Sequence, residues 1–444
     1  MPETEIVRDL GDGLLLRQAT ARDVEALVAF NSQIFRNTQT NEPNRGIAAW
    51  TRDLAERPHP TMDVGDFILV QDTRSGEIVS SLCLISQTWS YGGIEFGVGR
   101  PEIVGTRPEY RRRGLVRAQF AEIHRRSYER GELVQAITGI PNFYRQFGYE
   151  MTIDLHGGHA AYSQDIPKLK DGETEPYRVR PASDVDVPFL SETYRAVARR
   201  SNLSVVRDAA FWRYEIAGRS AESVMHQQIA IVESVAREAV GFLVYQTTLD
   251  DNGRFSIEAY ELAPGVSWLA VTPSVLRYLQ TVATADAAHS GKPLHSLLFG
   301  NGVDHPVARA FPDVLSRVVN PYAWYVRVSD LTSFLWRIAP VLEDRLANSL
   351  AAGHSGQLQL SFFREGVRLV FAGGKLIVAE SQPPRDDVRA DAAFPGLTFL
   401  HLLFGYRSLE ELRYAFPDCW ASREARVILA GLFPKQSAFI LPIA

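Results

Sequence analysis

The sequence has little cysteine, little net charge and no long apolar run. Cys83 and Cys419 are its two cysteines; they lie far apart without the spacing of a zinc or redox pair, which suits a reducing compartment and two buried thiols. The formal net charge of −5 over 444 residues lacks the basic excess of a general nucleic-acid binder. No segment reaches the roughly 18 apolar residues of a membrane span. The opening MPETEIVRDL has no apolar stretch of the secretory kind. A cytoplasmic protein with no nucleic-acid and no membrane partner is therefore expected. With 45% hydrophobic and 22% charged residues, the composition is globular, and the length exceeds what one core usually serves.

What the sequence does contain is an internal repeat. The run from Arg17 through Ala19, Thr20, Asp23 and Val24 to Leu27 reappears from Arg180 through Ala182, Ser183, Asp186 and Val187 to Leu190. In each copy a strand runs into a hydroxyl helix cap, with an aspartate in the first turn where the helix dipole favours it. The second copy follows the linker-like stretch Asp165–Pro176. Two domains that begin alike are expected, over 1–165 and 176–327, with a third over 328–444. In the third, Leu331 to Leu350 reads as an amphipathic helix interrupted at Pro340. Short strands at Gln357–Phe363, Gly366–Phe371 and Lys375–Ala379 come next, then helical segments at Gly396–Phe404, Leu409–Phe416 and Arg423–Leu432. The expected class is mixed α/β, with an α+β layer at the end.

The stretch that carries chemistry is Ile103 to Arg117. A β-branched strand leads through Val104, Gly105 and Thr106 into a proline turn. The basic loop Arg111-Arg112-Arg113-Gly114 then opens a helix at Leu115, Val116 and Arg117 that runs to about Glu129. Free backbone N–H groups at a helix start, a glycine that permits close approach and nearby guanidinium groups together suit a pyrophosphate. Other phosphate and metal motifs do not fit. Lys375 after Gly373-Gly374 is followed by Leu376 rather than a hydroxyl residue. Gly97-Val-Gly99 lacks a third glycine. His156-Gly-Gly-His159 has no thiolate or carboxylate cluster of zinc type and reads as a loop, so no metal is expected. About thirty residues after the basic loop comes Phe143-Tyr144-Arg145-Gln146-Phe147-Gly148-Tyr149.

Arg111-Arg-Arg-Gly114-Leu-Val116 followed by this aromatic motif resembles the GNAT superfamily of acetyl-CoA-dependent acyltransferases, departing from its loop pattern at Val116. The whole chain is similar to the enhanced-intracellular-survival (Eis) branch, which joins two GNAT-like domains to a sterol-carrier-protein-like domain. The resemblance implies acetyl-CoA as co-substrate and an acceptor that is a small-molecule amine, such as an aminoglycoside-like polyamine, or a protein lysine. It also implies a homo-oligomer, hexameric in that branch. Val104, Gly105, Thr106, Arg112, Arg113, Gly114, Leu115, Val116 and Arg117 are then the cofactor-binding set, with a backbone N–H among Val104 to Thr106 as oxyanion donor. Tyr144 matches the family's general acid. The base in that branch is the terminal carboxylate, here on Ala444; the tail Phe439-Ile-Leu-Pro-Ile443-Ala444 is apolar but does not end in the family's aromatic residue. The second repeat offers Trp268-Leu-Ala-Val271-Thr-Pro273 at the comparable junction, without a glycine loop, so one acetyl-CoA per chain is expected. A lipid carrier and an assembly scaffold, each with a vestigial first domain, are the rival readings.

Overall fold

The repeated Arg and Asp prove to be partners. Arg17 makes a two-armed pair with Asp23 (2.9 and 2.7 Å), and Arg180 does the same with Asp186 (2.8 and 2.7 Å). Each aspartate also closes a capping box with Thr20 or Ser183. Both boxes start a short 3-10 turn that passes into the helices Val24–Ile34 and Val187–Ala198. One sequence device thus joins the first strand to the first helix twice.

This computed structural model describes residues 6–37, 40–383 and 390–441. The first sheet runs in the order Ile6–Gly11, Leu14–Gln18, Phe67–Asp72, Ile78–Tyr91, Ile94–Thr106, Glu132–Ile137, Tyr322–Val328 and Glu150–Leu155. The second runs Arg317–Val319, Gly158–Ala161, Ser296–Phe299, Arg254–Leu262, Ala239–Gln246, Gln227–Ser234 and Tyr177–Pro181. The two exchange strands. Gly158–Ala161, inside the span 1–165, pairs in the second sheet, whereas Tyr322–Val328, which starts inside 176–327 and crosses its end, pairs in the first.

The third region forms a five-stranded sheet flanked by helices. Its first helix breaks at Ile338 into Leu331–Arg337 and Ala339–Ala347, two residues before Pro340, whose ring and missing N–H prevent continuation. A continuous apolar core joins this region to the first sheet, from Trp89, Phe96 and Trp324 to Phe334, Phe399 and Leu429. The Tyr91 hydroxyl donates to the Leu403 carbonyl (2.8 Å) and accepts from Arg345 (2.9 Å), so the junction is keyed by polar contacts. The tail strand Ala438–Phe439 pairs in parallel with Leu203–Val205, which is itself antiparallel to Trp89–Tyr91. The last described residues therefore return to the first sheet, and Leu441 is buried. Mixed α/β architecture is observed throughout. Among the described residues no helix is long and apolar enough to cross a membrane, and no group of three or more His, Cys, Asp or Glu is placed to hold a metal. Cys83 and Cys419 are buried and free.

Candidate active site

Strands Ile94–Thr106 and Glu132–Ile137 pair in parallel up to Gly99 and Gln135 and then part. Past that point the first strand bulges: Ser81 faces Gly105 and Cys83 faces Glu102, which leaves Ile103 and Val104 opposite the single residue Leu82. Ile103 takes φ +52° although it is β-branched and buried. Such a conformation costs on the order of 1–3 kcal/mol and persists where the surroundings over-determine it, most often at working sites. Nothing in the local sequence signals it, since isoleucine argues against positive φ.

Beyond the bulge the chain enters a loop with Arg112 at φ +63° and Gly114 at φ +77°. Left-handed residues alternating in a loop turn successive N–H groups to one side and make an anion-binding concavity. Helix Leu115–Glu129 begins immediately after, with Gly114 as its cap, so the first-turn N–H groups add to the same concavity. A Cβ built on Gly114 would meet nothing within 4 Å, so the space above it is free for a ligand group. A Cβ on Gly105, in contrast, would stand 2.8 Å from the Ile34 side chain; this glycine lets the end of helix Val24–Ile34 close over the strand.

A cavity of 790 Å³ collects these groups. Val104, Gly105, Thr106, Arg112, Gly114, Leu115, Val116, Arg117 and Tyr144 all line it. Arg117 reaches Gln146 (3.0 Å) and lies over the Phe147 ring. Arg113 does not line the cavity; it turns toward Asp12 (3.4 Å) and the Tyr110 ring. Ala444 lies outside the described residues. Ile34 and Phe35 complete the wall, a contribution that only the folded helix reveals. The donors, the open space above Gly114 and the apolar channel toward Tyr144 fit a coenzyme A diphosphate and its pantetheine arm.

Tyr144 stands in a short 3-10 turn, Phe143–Phe147, with its ring 5.4 Å from that of Tyr325 and 5.8 Å from that of Phe120. Its hydroxyl has no hydrogen-bond partner among the described residues. Burial, then the Glu102 carboxylate, then Tyr325 push its pKa well above the ordinary phenol value, so the proton stays on at any neutral pH. The exchanged strand braces this turn: the Tyr322 hydroxyl donates to the Gly139 carbonyl at 2.9 Å. On the bulged strand, Glu102 pairs with the buried Arg100, whose guanidinium sits 4.7 Å from the centre of the Trp324 ring. Burial pushes the Glu102 carboxyl up and Arg100 opposes the shift.

Residues 16–152 match the family model described as acetyltransferase (GNAT) domain. No curated protein sequence matches the chain significantly. Its fold is similar to a probable N-acyltransferase from Enterococcus faecalis, described as a conserved protein of unknown function (16% identity, TM-score 0.67). It is also similar to a GCN5-related N-acetyltransferase from Anabaena variabilis (13%, 0.65) and to Eis1 from Mycobacterium abscessus (15%, 0.61). Each comparison covers 97% of this chain and 100% of the other, so at these low identities the architecture is shared over the full length. Residues 16–152 are an acetyltransferase domain of the GNAT type, and the protein that carries them is an acetyltransferase.

Proposed function

We propose that this chain moves the acetyl group of acetyl-CoA onto a primary amine, either an aminoglycoside-like polyamine or a protein lysine, by direct attack. The observation that carries the reading is the single cavity that joins the left-handed Arg112–Gly114 loop to the protonated Tyr144 hydroxyl. The N–H groups of Gly114 to Arg117, with Arg112 and Arg117, hold the diphosphate, and the parted strands take the pantetheine arm. A bulge N–H among Val104 to Thr106 donates to the carbonyl oxygen as negative charge develops there. The amine nitrogen bonds to the carbonyl carbon, the C–S bond breaks, and the leaving thiolate takes its proton from Tyr144.

A primary amine with pKa about 10 is only about one part in a thousand neutral at pH 7, so the attacking nitrogen needs a base. Our reading gives this role to the terminal carboxylate of Ala444. Its support is the course of the tail: Phe439 pairs beside Ser204, Leu441 is buried, and the strand runs in the direction of Val206 and Arg207. A second candidate is Glu102, whose carboxyl burial pushes up and whose charge acts on the Tyr144 hydroxyl.

The second sheet reads as a GNAT-like unit without a cofactor. At its strand–helix junction the Trp268 ring packs 5.0 Å from Tyr260 and 5.3 Å from His305, in place of a glycine loop. The third region reads as sterol-carrier-protein-like, and the assembly as a homo-oligomer, a hexamer by its resemblance. The acetyl-transfer reading is tested by following thiol release from acetyl-CoA across a panel of primary amines. Binding of acetyl-CoA without amine-dependent release from any member would reduce the domain to a binding module.

A further inference from the structure

The second sheet opens as the first does. Strands Arg254–Leu262 and Ser296–Phe299 pair in parallel through Ile257 and Phe299 and then part. Between them, facing the tail and the third region, is a cleft of 850 Å³ that no step of the acetyl transfer uses. At the strand–helix junction beside it Trp268 packs on Tyr260 and His305 where the first sheet has its glycine loop, so it lacks the cradle of a second coenzyme A channel.

Part of the charge of this cleft is paired within it. On its floor Glu258 pairs with His156 (3.0 Å), while Glu261 pairs with both Arg200 (2.6 Å) and His305 (3.1 Å). Over the whole lining four carboxylates, Asp154, Glu258, Glu261 and Asp304, face four cations, Arg200, Arg309, Arg407 and Lys435. These formal charges balance; burial lowers the His156 pKa but Glu258 raises it further, toward the charged form, and neither sign dominates the lining. Among the described residues Asp154, Asp304, Arg309 and Arg407 make no ion pair, and Lys435 pairs with Glu411 outside the lining; two neutral groups also lack partners. Thr152 is fully buried, and its hydroxyl lacks a partner. It is the extra residue of a bulge, opposite neither Trp324 nor Tyr325, and a bulge re-aims its side chain. Asn301 has both amide atoms shielded from solvent and unpaired among the described residues. A buried hydroxyl and a buried amide without partners are costly and ask for a ligand or water that both donates and accepts. Apolar surface beside them, from Pro306, Pro321, Tyr406 and Phe439, suits the C–H faces of such a molecule.

We propose that this cleft binds a neutral polyhydroxylated small molecule of sugar size, held by Thr152 and Asn301 and by the outer oxygens and N–H groups of the paired ions. The site is independent of the acetyl-CoA cavity. The test uses the full-length protein and saturation-transfer NMR with glucose, maltose and myo-inositol, alongside glucosamine and glucose 6-phosphate as charged counterparts. We expect transfer to at least one neutral compound, retained under saturating acetyl-CoA. Thr152→Val and Asn301→Ala should each weaken it at least tenfold while leaving acetyl-CoA affinity and melting temperature as in the wild type. If one variant misfolds, the other decides. Four results would overturn the proposal: no transfer to any neutral compound, transfer to the charged ones alone, displacement by acetyl-CoA, or wild-type affinity in the folded variants. Acetyl-CoA affinity, measured in the same samples, reports separately on the first cavity.

Discussion

Replacing Tyr144 by phenylalanine removes one oxygen and almost no volume. The ring contacts with Phe120, Phe143, Tyr149 and Tyr325 depend on the ring alone, and the hydroxyl makes no hydrogen bond among the described residues. Stability should therefore change by no more than about 0.5 kcal/mol. Acetyl-CoA should bind as before, because the diphosphate contacts lie at the other end of the cavity. Loss of a positioned general acid costs about 10²–10⁴ in rate, or roughly 2.7–5.4 kcal/mol of barrier at 1.36 kcal/mol per decade. The pH profile adds a second readout. Burial raises the Tyr144 pKa, so the neutral form persists above the ordinary phenol value of about 10. The wild-type rate should accordingly show no alkaline fall below about pH 10. Calorimetry with acetyl-CoA, a melting curve and thiol release under saturating amine measure the three quantities. Wild-type turnover in the phenylalanine variant with every amine tested would return Tyr144 to a packing role. A variant that neither melts normally nor binds acetyl-CoA would refute the claim that only the proton donor was removed.

The remaining predictions concern the loop and the base. Gly114→Glu puts bulk and negative charge into the open space above the loop and forces a side chain into φ +77°, so acetyl-CoA binding should vanish in a folded protein; calorimetry with unchanged affinity would sink the loop assignment. Calorimetry of the wild type should give one acetyl-CoA per chain, and two equivalent sites would contradict the second sheet's loss of the cofactor. Glycines added after Ala444 move the terminal charge by roughly 3.3–3.6 Å each, and misplacement by ~1 Å costs about a hundredfold. The extended protein should bind acetyl-CoA yet acetylate slowly, and normal turnover there, with loss in Glu102→Gln, would transfer the base to Glu102.

The parts legible in the sequence were those with a local signature. Gly114 before an amphipathic helix carried its own signal, the resemblance borne by the loop and the aromatic motif together put Tyr144 at the same site, and Pro340 marked the break at Ile338. The strand exchange was not legible, because Tyr322–Val328 pairs with residues that lie more than 160 positions earlier and leaves no periodic trace of its partner. The bulge at Ile103 was hidden because its residue type argues locally for a regular strand. Arg17 and Asp23 were visible as repeated letters, but their ion pair needed the turn between them to form.

The central claim is direct transfer from acetyl-CoA to an amine, and one measurement addresses it. The protein is mixed with isotope-labelled acetyl-CoA and a simple primary diamine, and the label is followed by mass spectrometry through a single turnover. The account predicts that the label appears in an amide on the diamine, in amounts equal to the thiol released, with none held covalently on the protein. Label remaining on coenzyme A, released as acetate, or captured first as an acetylated protein residue would contradict it.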